Sequence, residues 1–228
     1  MNIPRAPHPW SLTPRQAIAV QRRMANRVAE APLAAPVRFI AGLDAAFSTD
    51  GRRCIGAVVL WDRLEQRVAE QHVVEQPLRF PYVPGLLSFR EAPALLAALR
   101  ELAQVPELLM CDGQGLAHTR RFGIACHLGV LCRLPAVGCA KSRLTGTHAE
   151  PASRRGASTP LSDGEQLIGS VLRTQTGVRP VYLSVGHLVT LEAAVSIVLE
   201  CATRQRLPEP TRLADRLVAR AKRGQNIS

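Results

Sequence analysis

Apolar residues recur along the 228-residue chain in two periods, and they divide it into alternating helices and strands. Residues 14–30, PRQAIAVQRRMANRVAE, read as an amphipathic helix opening on a proline. Three strand-like runs follow at 37–47, 54–62 and 66–76. Asp50-Gly51 lies between the first two and is a hairpin signal, so these runs predict an antiparallel meander. Residues 88–103, SFREAPALLAALRELA, read as a helix in which Pro93 fits only the first turn. A short apolar strand at 107–112, a Gly-rich turn, a helix at 123–134 and a strand at 136–142 come next. Residues 145–164 are rich in Gly, Ser, Thr and Pro and read as a loop. Two more strands, 165–175 and 180–185, lead to helices at 190–205 and 210–223.

No internal repeat is visible. Hairpin-linked strands followed by alternating helices and strands predict an α/β fold, a mixed sheet covered by helices. The length and the 46% hydrophobic content suit one domain over residues 1–228, with a flexible basic tail after about 223. No apolar run reaches the ~20 residues of a membrane span. The N-terminal MNIPRAPHPW has no apolar signal-peptide core. Six cysteines, mostly in apolar runs and without a CxxC pair, read as buried thiols of a cytoplasmic protein.

Charge changes the picture. The net charge is +11 and the isoelectric point near 10.6, a balance that favours a polyanionic partner. Residues 1–40 carry six arginines against Glu30 alone, and residues 201–228 carry seven basic residues against Glu209 and Asp215. An arginine-rich but merely solvated face would look the same.

Against this basic background, Asp44 and Asp112 stand out because they sit in apolar strand runs, in FIAGLDAAF and ELLMCD. Glu91 is out of place in a similar way, in PYVPGLLSFREAP. Strand ends are where sites assemble in open sheets. Burying one unpaired carboxylate costs several kcal/mol. Three converging carboxylates need a positive partner, and an all-oxygen set favours Mg²⁺ or Mn²⁺. Taken singly, each acid could equally be a helix cap, a turn former or an ion-paired core acid.

Two long segments, PYVPGLLSFRE (81–91) and DGQGLAHTRR (112–121), resemble the endonuclease V family, nucleases that nick nucleic acid beside inosine. GLDAAF (42–47), GCAKSRLTG (138–146), YLSVGH (182–187) and LPEPTRLAD (207–215) are similar to further blocks of the family in the same order. The chain departs from the family pattern at Gln114, where histidine is more usual, and at Thr119, where proline is. Gln114 puts in doubt any role for a histidine at that position.

The resemblance implies a ribonuclease H-like mixed sheet with helices on both faces. It also implies metal-dependent hydrolysis of the second phosphodiester 3′ of deoxyinosine, leaving 3′-hydroxyl and 5′-phosphate ends. By motif position Asp44, Glu91 and Asp112 hold Mg²⁺, with Mn²⁺ able to substitute, and His187 matches a late catalytic histidine. His118 is a weaker candidate. Lys141 is one of only two lysines among 29 basic residues, so a compact ammonium on the scissile phosphate or the attacking water is expected there.

A flipped hypoxanthine needs a tight pocket, for which Gly85, Gly113, Ile124, Gly138 and Leu144 are the matched residues. Tyr82, between Pro81 and Pro84, matches a wedge that fills the gap in the duplex. Arg90, Arg120 and Arg121 are expected on backbone phosphates. A monomer acting on DNA is implied. The alternatives are a related nuclease acting on inosine in RNA or on mismatched or branched DNA, and a noncatalytic nucleic-acid-binding domain.

Overall fold

The structure is a computed structural model that describes residues 1–225. The expected tail after 223 falls largely outside the described residues.

The first helix, α1 (Pro14–Ala25), starts where the sequence places it. Thr13 and Gln16 form a reciprocal capping box and Pro14 occupies the first turn. It ends at Ala25, five residues earlier than its pattern predicts, with Asn26 as its C-cap. The meander follows as β1 (Phe39–Phe47), β2 (Arg53–Asp62) and β3 (Arg67–Pro77), antiparallel throughout. The remaining elements are α2 (Ser88–Glu101), β4 (Leu108–Cys111), α3 (Ile124–Cys132), β5 (Ala136–Ala140), β6 (Ser158–Asp163), β7 (Gln166–Leu172), β8 (Val181–His187), α4 (Leu191–Cys201) and α5 (Glu209–Lys222).

All eight strands join one sheet in the order β3-β2-β1-β4-β5-β8-β7-β6. Strands β4 and β5 run parallel to β1, whereas β8 returns antiparallel to β5. Alternate strand residues face opposite layers. Ala41, Leu43, Val58, Leu60 and Leu109 pack under α1, α2 and α3. Ile40, Leu108, Met110, Val137 and Cys139 pack under α4, while Ile55, Ala57 and Val59 pack under α5. This is the ribonuclease H-like arrangement, a mixed sheet with helices on both faces. All six cysteines are buried free thiols.

Two expectations are corrected. The segment 145–164 is not all loop, since β6 lies inside it and pairs with β7. Pro160 and the polar residues around it hide the strand in the sequence, but an edge strand tolerates proline because one side needs no ladder donor. Pro93 lies in the second turn of α2 rather than the first. The helix holds through the missing hydrogen bond because Ala92, Leu95, Leu96, Ala98 and Leu99 bury its sheet-facing side.

Candidate active site

Parallel pairing sets the acids side by side. Leu43 pairs with Cys111, and the Asp112 amide donates to the Leu43 carbonyl at 2.9 Å. Asp44 and Asp112 therefore emerge at the same end of neighbouring strands. Lys141 follows β5 at that end too, because β5 runs parallel to β4. Glu91 is brought in by the first turns of α2, on one face of the sheet.

A fourth acid, Asp215, arrives on α5 from the opposite face. Gly42 makes this possible. A Cβ there would sit 2.1 Å from the Pro210 carbonyl oxygen, so only glycine lets the start of α5 lie on β1. Asp44, Asp112 and Asp215 each offer an oxygen within 4.8 Å of the others. Lys141 Nζ lies 2.6 Å from Asp112 Oδ2 and 2.8 Å from Asp215 Oδ1.

The electrostatics are those of a site lacking positive charge. Burial, then repulsion from Asp44 and Asp112, pushes Glu91 up to about 8. Burial, then Asp112, pushes Asp44 up to about 7. Burial also raises Asp112, against the pull of Lys141. Burial alone would lower the Lys141 ammonium, but its hydrogen bonds to Asp112 and Asp215 outweigh that and raise it. One ammonium does not satisfy four carboxylates. The all-oxygen donor set and the raised carboxyls together fit a divalent cation, which Asp44, Asp112 and Asp215 could hold with Glu91 behind them.

A cavity of about 430 Å³ opens against this cluster, and Glu91, Asp112 and Lys141 form part of its wall. Tyr82, Gly85, Gly113, Ile124 and Leu144 line the rest, along with Gln114 and His118. Tyr82 is 70% exposed at the rim, and Leu144 is also exposed. Gly85 has φ +76°, which favours glycine, and its carbonyl accepts from Gln21 Nε2 at 3.0 Å and Arg120 Nη2 at 2.7 Å. His118 is buried, and burial followed by Arg120 pushes it down to about 4, so it is neutral at pH 7.

Several predicted residues are not brought to the site as expected. His187 ends β8 opposite Ala136, where β5 begins, so it lies at the far end of the sheet from Lys141. Four residues of strand separate the two ends, roughly 13 Å. Its Nδ1 accepts from the Ala29 amide at 3.2 Å. Gly138 does not line the cavity. A Cβ there would meet Gly115 N and Gly113 O within 2.6 Å, so it lies behind the 113–115 turn.

The arginines are also placed differently. Arg120 donates to Gln21 Oε1 and the Gly85 carbonyl, and Arg121 to Asp163, Gln166 and the His118 carbonyl. These bonds tie both side chains to the protein while leaving part of each guanidinium's five N–H donors unused. Arg90 donates to the Phe80 carbonyl and lies over the Phe47 ring at 4.5 Å and the Tyr82 ring at 5.9 Å. Asp215 is the residue that sequence reasoning missed. Its one signal is that it closes the matched block LPEPTRLAD.

Fold and site together define a nuclease of the ribonuclease H-like class, with a carboxylate cluster suited to phosphodiester chemistry beside an open cavity. The Endonuclease V family model matches residues 22–216, and the chain belongs to that family. It is 49% identical to the endonuclease V of Roseiflexus castenholzii over 96% of this chain and 98% of that one. The crystal structure of endonuclease V from Streptomyces avermitilis superposes at a TM-score of 0.90 with 41% identity, covering 94% of this chain and 95% of that one. Endonuclease V of Ciona intestinalis, crystallised with a 24mer DNA containing an inosine followed by a ribo-adenosine, shares the fold at a TM-score of 0.79 and 21% identity. That match covers 92% of this chain and 98% of that one.

Proposed function

We propose that this endonuclease recognises deoxyinosine in DNA and hydrolyses the second phosphodiester 3′ of it, leaving 3′-hydroxyl and 5′-phosphate ends. The observation that carries the reading is the shared wall, because Glu91, Asp112 and Lys141 border both the acidic cluster and the cavity. A flipped base held in the cavity places its flanking backbone against the acids. The Ciona relative's complex with inosine-containing DNA supports the substrate class.

Asp44, Asp112, Asp215 and Glu91 would hold Mg²⁺, with Mn²⁺ as substitute. When bound, such an ion activates water and neutralises charge on the phosphate. Lys141 is half-exposed between Asp112 and Asp215 and holds a phosphate oxygen with an ammonium that stays protonated. Tyr82, rigid between two prolines, enters the duplex where the base has left. Gly85, Gly113, Ile124 and Leu144 enclose hypoxanthine, and a close-fitting wall rejects the extra amino group of guanine.

Every residue named here comes from one chain, on the strands, helices and loops around one sheet, so a single-domain monomer suffices. Six free thiols suit the reducing cytoplasm. Among the described residues no helix is long and apolar enough to cross a membrane.

The test is a nicking assay on a duplex with one deoxyinosine, run with and without Mg²⁺, for wild type and Asp112→Asn. Cleavage should need Mg²⁺ and inosine and be lost in the variant. Equal cleavage of undamaged duplex, or full-rate cleavage by Asp112→Asn, would overturn the reading. Inosine-containing RNA and mismatched duplexes run alongside settle the breadth of substrate.

A further inference from the structure

A second cavity, of about 330 Å³, shares no lining residue with the first and is bordered by Arg79 and Arg90, which flank the Tyr82 segment in sequence. The N-terminal strap, the end of β3 and the outer side of α2 form its walls, and Arg5, Arg79, Arg90 and Arg100 line it. No carboxylate is among its lining residues. None of the four arginines takes part in an ion pair among the described residues, although nine such pairs occur elsewhere. Arg5, Arg79 and Arg100 are exposed. Arg90 Nε, in contrast, is buried without a hydrogen-bond partner. Four like charges around one concavity repel one another unless an anion sits among them. Trp10 is half-buried on the same wall, its ring 4.6 Å from that of His8.

Position says which anion. Arg79 precedes Tyr82 by three residues, a reach of at most roughly 10 Å. Arg90 lines this cavity and also approaches the Tyr82 ring at 5.9 Å. A duplex opened at Tyr82 therefore carries its backbone past these arginines. We propose that this cavity binds a backbone phosphate of the substrate strand flanking the wedge, held by Arg79 and Arg100 with Arg5 closing over it. The proposal rests on the reading of Tyr82 as the residue that enters the duplex.

The experiment measures affinity for an inosine duplex against salt concentration, for wild type and the double variant Arg79→Ala/Arg100→Ala. Flanks are trimmed to two base pairs on one side of the inosine or the other. Trp10 fluorescence reports local occupancy, because Trp61, the only other tryptophan, is buried. The variant should lose affinity uniformly for damaged and undamaged DNA. Its slope of log K against log salt should flatten by about 1 for each phosphate released. The loss should disappear when one particular flank is trimmed, and Trp10 should respond to full-length duplex only.

An unchanged slope in a variant with wild-type melting temperature overturns the proposal. So does saturation of the Trp10 signal by inorganic phosphate alone with no effect on the duplex slope, which would place a free anion there. The slope is readable on undamaged DNA as well. Failure of the inosine reading would appear separately, as absence of any preference for inosine in wild type.

Discussion

Lys141 Nζ lies 2.6 Å from Asp112 Oδ2, and the same ammonium reaches Asp215 at 2.8 Å. In the metal-free protein this lysine supplies the positive charge that the carboxylates lack. Removing it should make the apo protein less stable and its divalent-ion binding tighter, because the carboxylates then have no competing cation. Cleavage should nevertheless fall about 100-fold, as when a charge aimed at the developing anion is lost. Lys141→Met, followed by Mg²⁺ titration in a thermal melt and by single-turnover cleavage, checks both halves. Weaker Mg²⁺ binding in the variant would show that the lysine organises the acids instead of competing for them.

The raised carboxyls predict how the apo protein responds to base. Asp44 and Glu91 titrate at about 7 and about 8 when folded, above their ordinary values of 3.8 and 4.5. Between pH 4 and 8 the folded chain therefore holds more protons at these groups than the unfolded chain. Their contribution is complete below pH 4 and is lost as pH rises through 7 and 8, by up to about 1.4 kcal/mol per pH unit per group. A divalent ion removes the penalty, so Mg²⁺ should raise the melting temperature more at pH 8.5 than at pH 6. Asp44→Asn should flatten the apo profile and shrink the Mg²⁺ effect. A Mg²⁺ shift independent of pH would be inconsistent with this account.

His187 gives the opposite kind of prediction. It lies at the far end of the sheet, where its ring accepts from the Ala29 amide and pins the segment after α1. His187→Ala should cost about 1 kcal/mol of stability, the ordinary net worth of one hydrogen bond, and leave cleavage of the inosine duplex near wild type. A large loss of cleavage at full folding would return the histidine to the chemistry.

The contrast between His187 and Asp215 shows what the sequence could carry. Asp44, Glu91 and Asp112 are legible because each is an acid in apolar company, which one chain read linearly can reveal. Asp215 is hidden because its neighbours in TRLADRLVARAK are charged, as on any solvated helix. Only the passage of α5 across Gly42 brings it to the site. His187 misleads for a topological reason, since a residue at a strand's C-terminal end joins the site only if that strand runs parallel to β4. Local pattern identifies β8 as a strand but does not give its direction. Likewise the pattern shows Arg120 and Arg121 as basic, but not that they bond to Gln21, Gly85 and Asp163 within the protein.

Gln21 is buried, 1% exposed, and every polar atom of its amide is used. Nε2 donates to the carbonyls of Gly85 and Phe122, at 3.0 and 2.8 Å, and Oε1 accepts from Arg120 Nε. One side chain from α1 thus fixes the loop that carries Tyr82 and forms one wall of the cavity beside the acids. Gln21→Leu strands those partners and should destabilise the protein by about 1–3 kcal/mol. Its effect on the reaction should fall on KM for inosine duplex, with kcat and the Mg²⁺-induced melting shift retained, because the acids are untouched. Gln21→Glu keeps the acceptor for Arg120 and should recover part of the affinity. Equal losses in kcat and KM would show that the loop also aligns the scissile bond.

A final prediction concerns acid. His127 is completely buried, with Nδ1 3.2 Å from Ser88 Oγ and Nε2 3.0 Å from His8 Nε2. Burial, and then repulsion from His8, pushes it down to about 3. The unfolded chain protonates this histidine near 6.5, so between pH 6.5 and 3 it binds a proton that the folded chain refuses. Stability from this group is complete above pH 6.5 and is lost as pH falls toward 3, by up to about 1.4 kcal/mol per unit. The carboxyls of the active site pull the other way over part of this range, so the difference between two proteins isolates the histidine. The gap in unfolding free energy between wild type and His127→Gln, measured by urea titration at successive pH values, should narrow steadily from pH 6.5 to pH 4. His8 holds the N-terminal strap against His127, so the strap should gain hydrogen-exchange rate over the same interval while α3 remains protected. A gap that stays constant with pH would mean that the two rings share a proton in the folded state and that His127 is not held neutral.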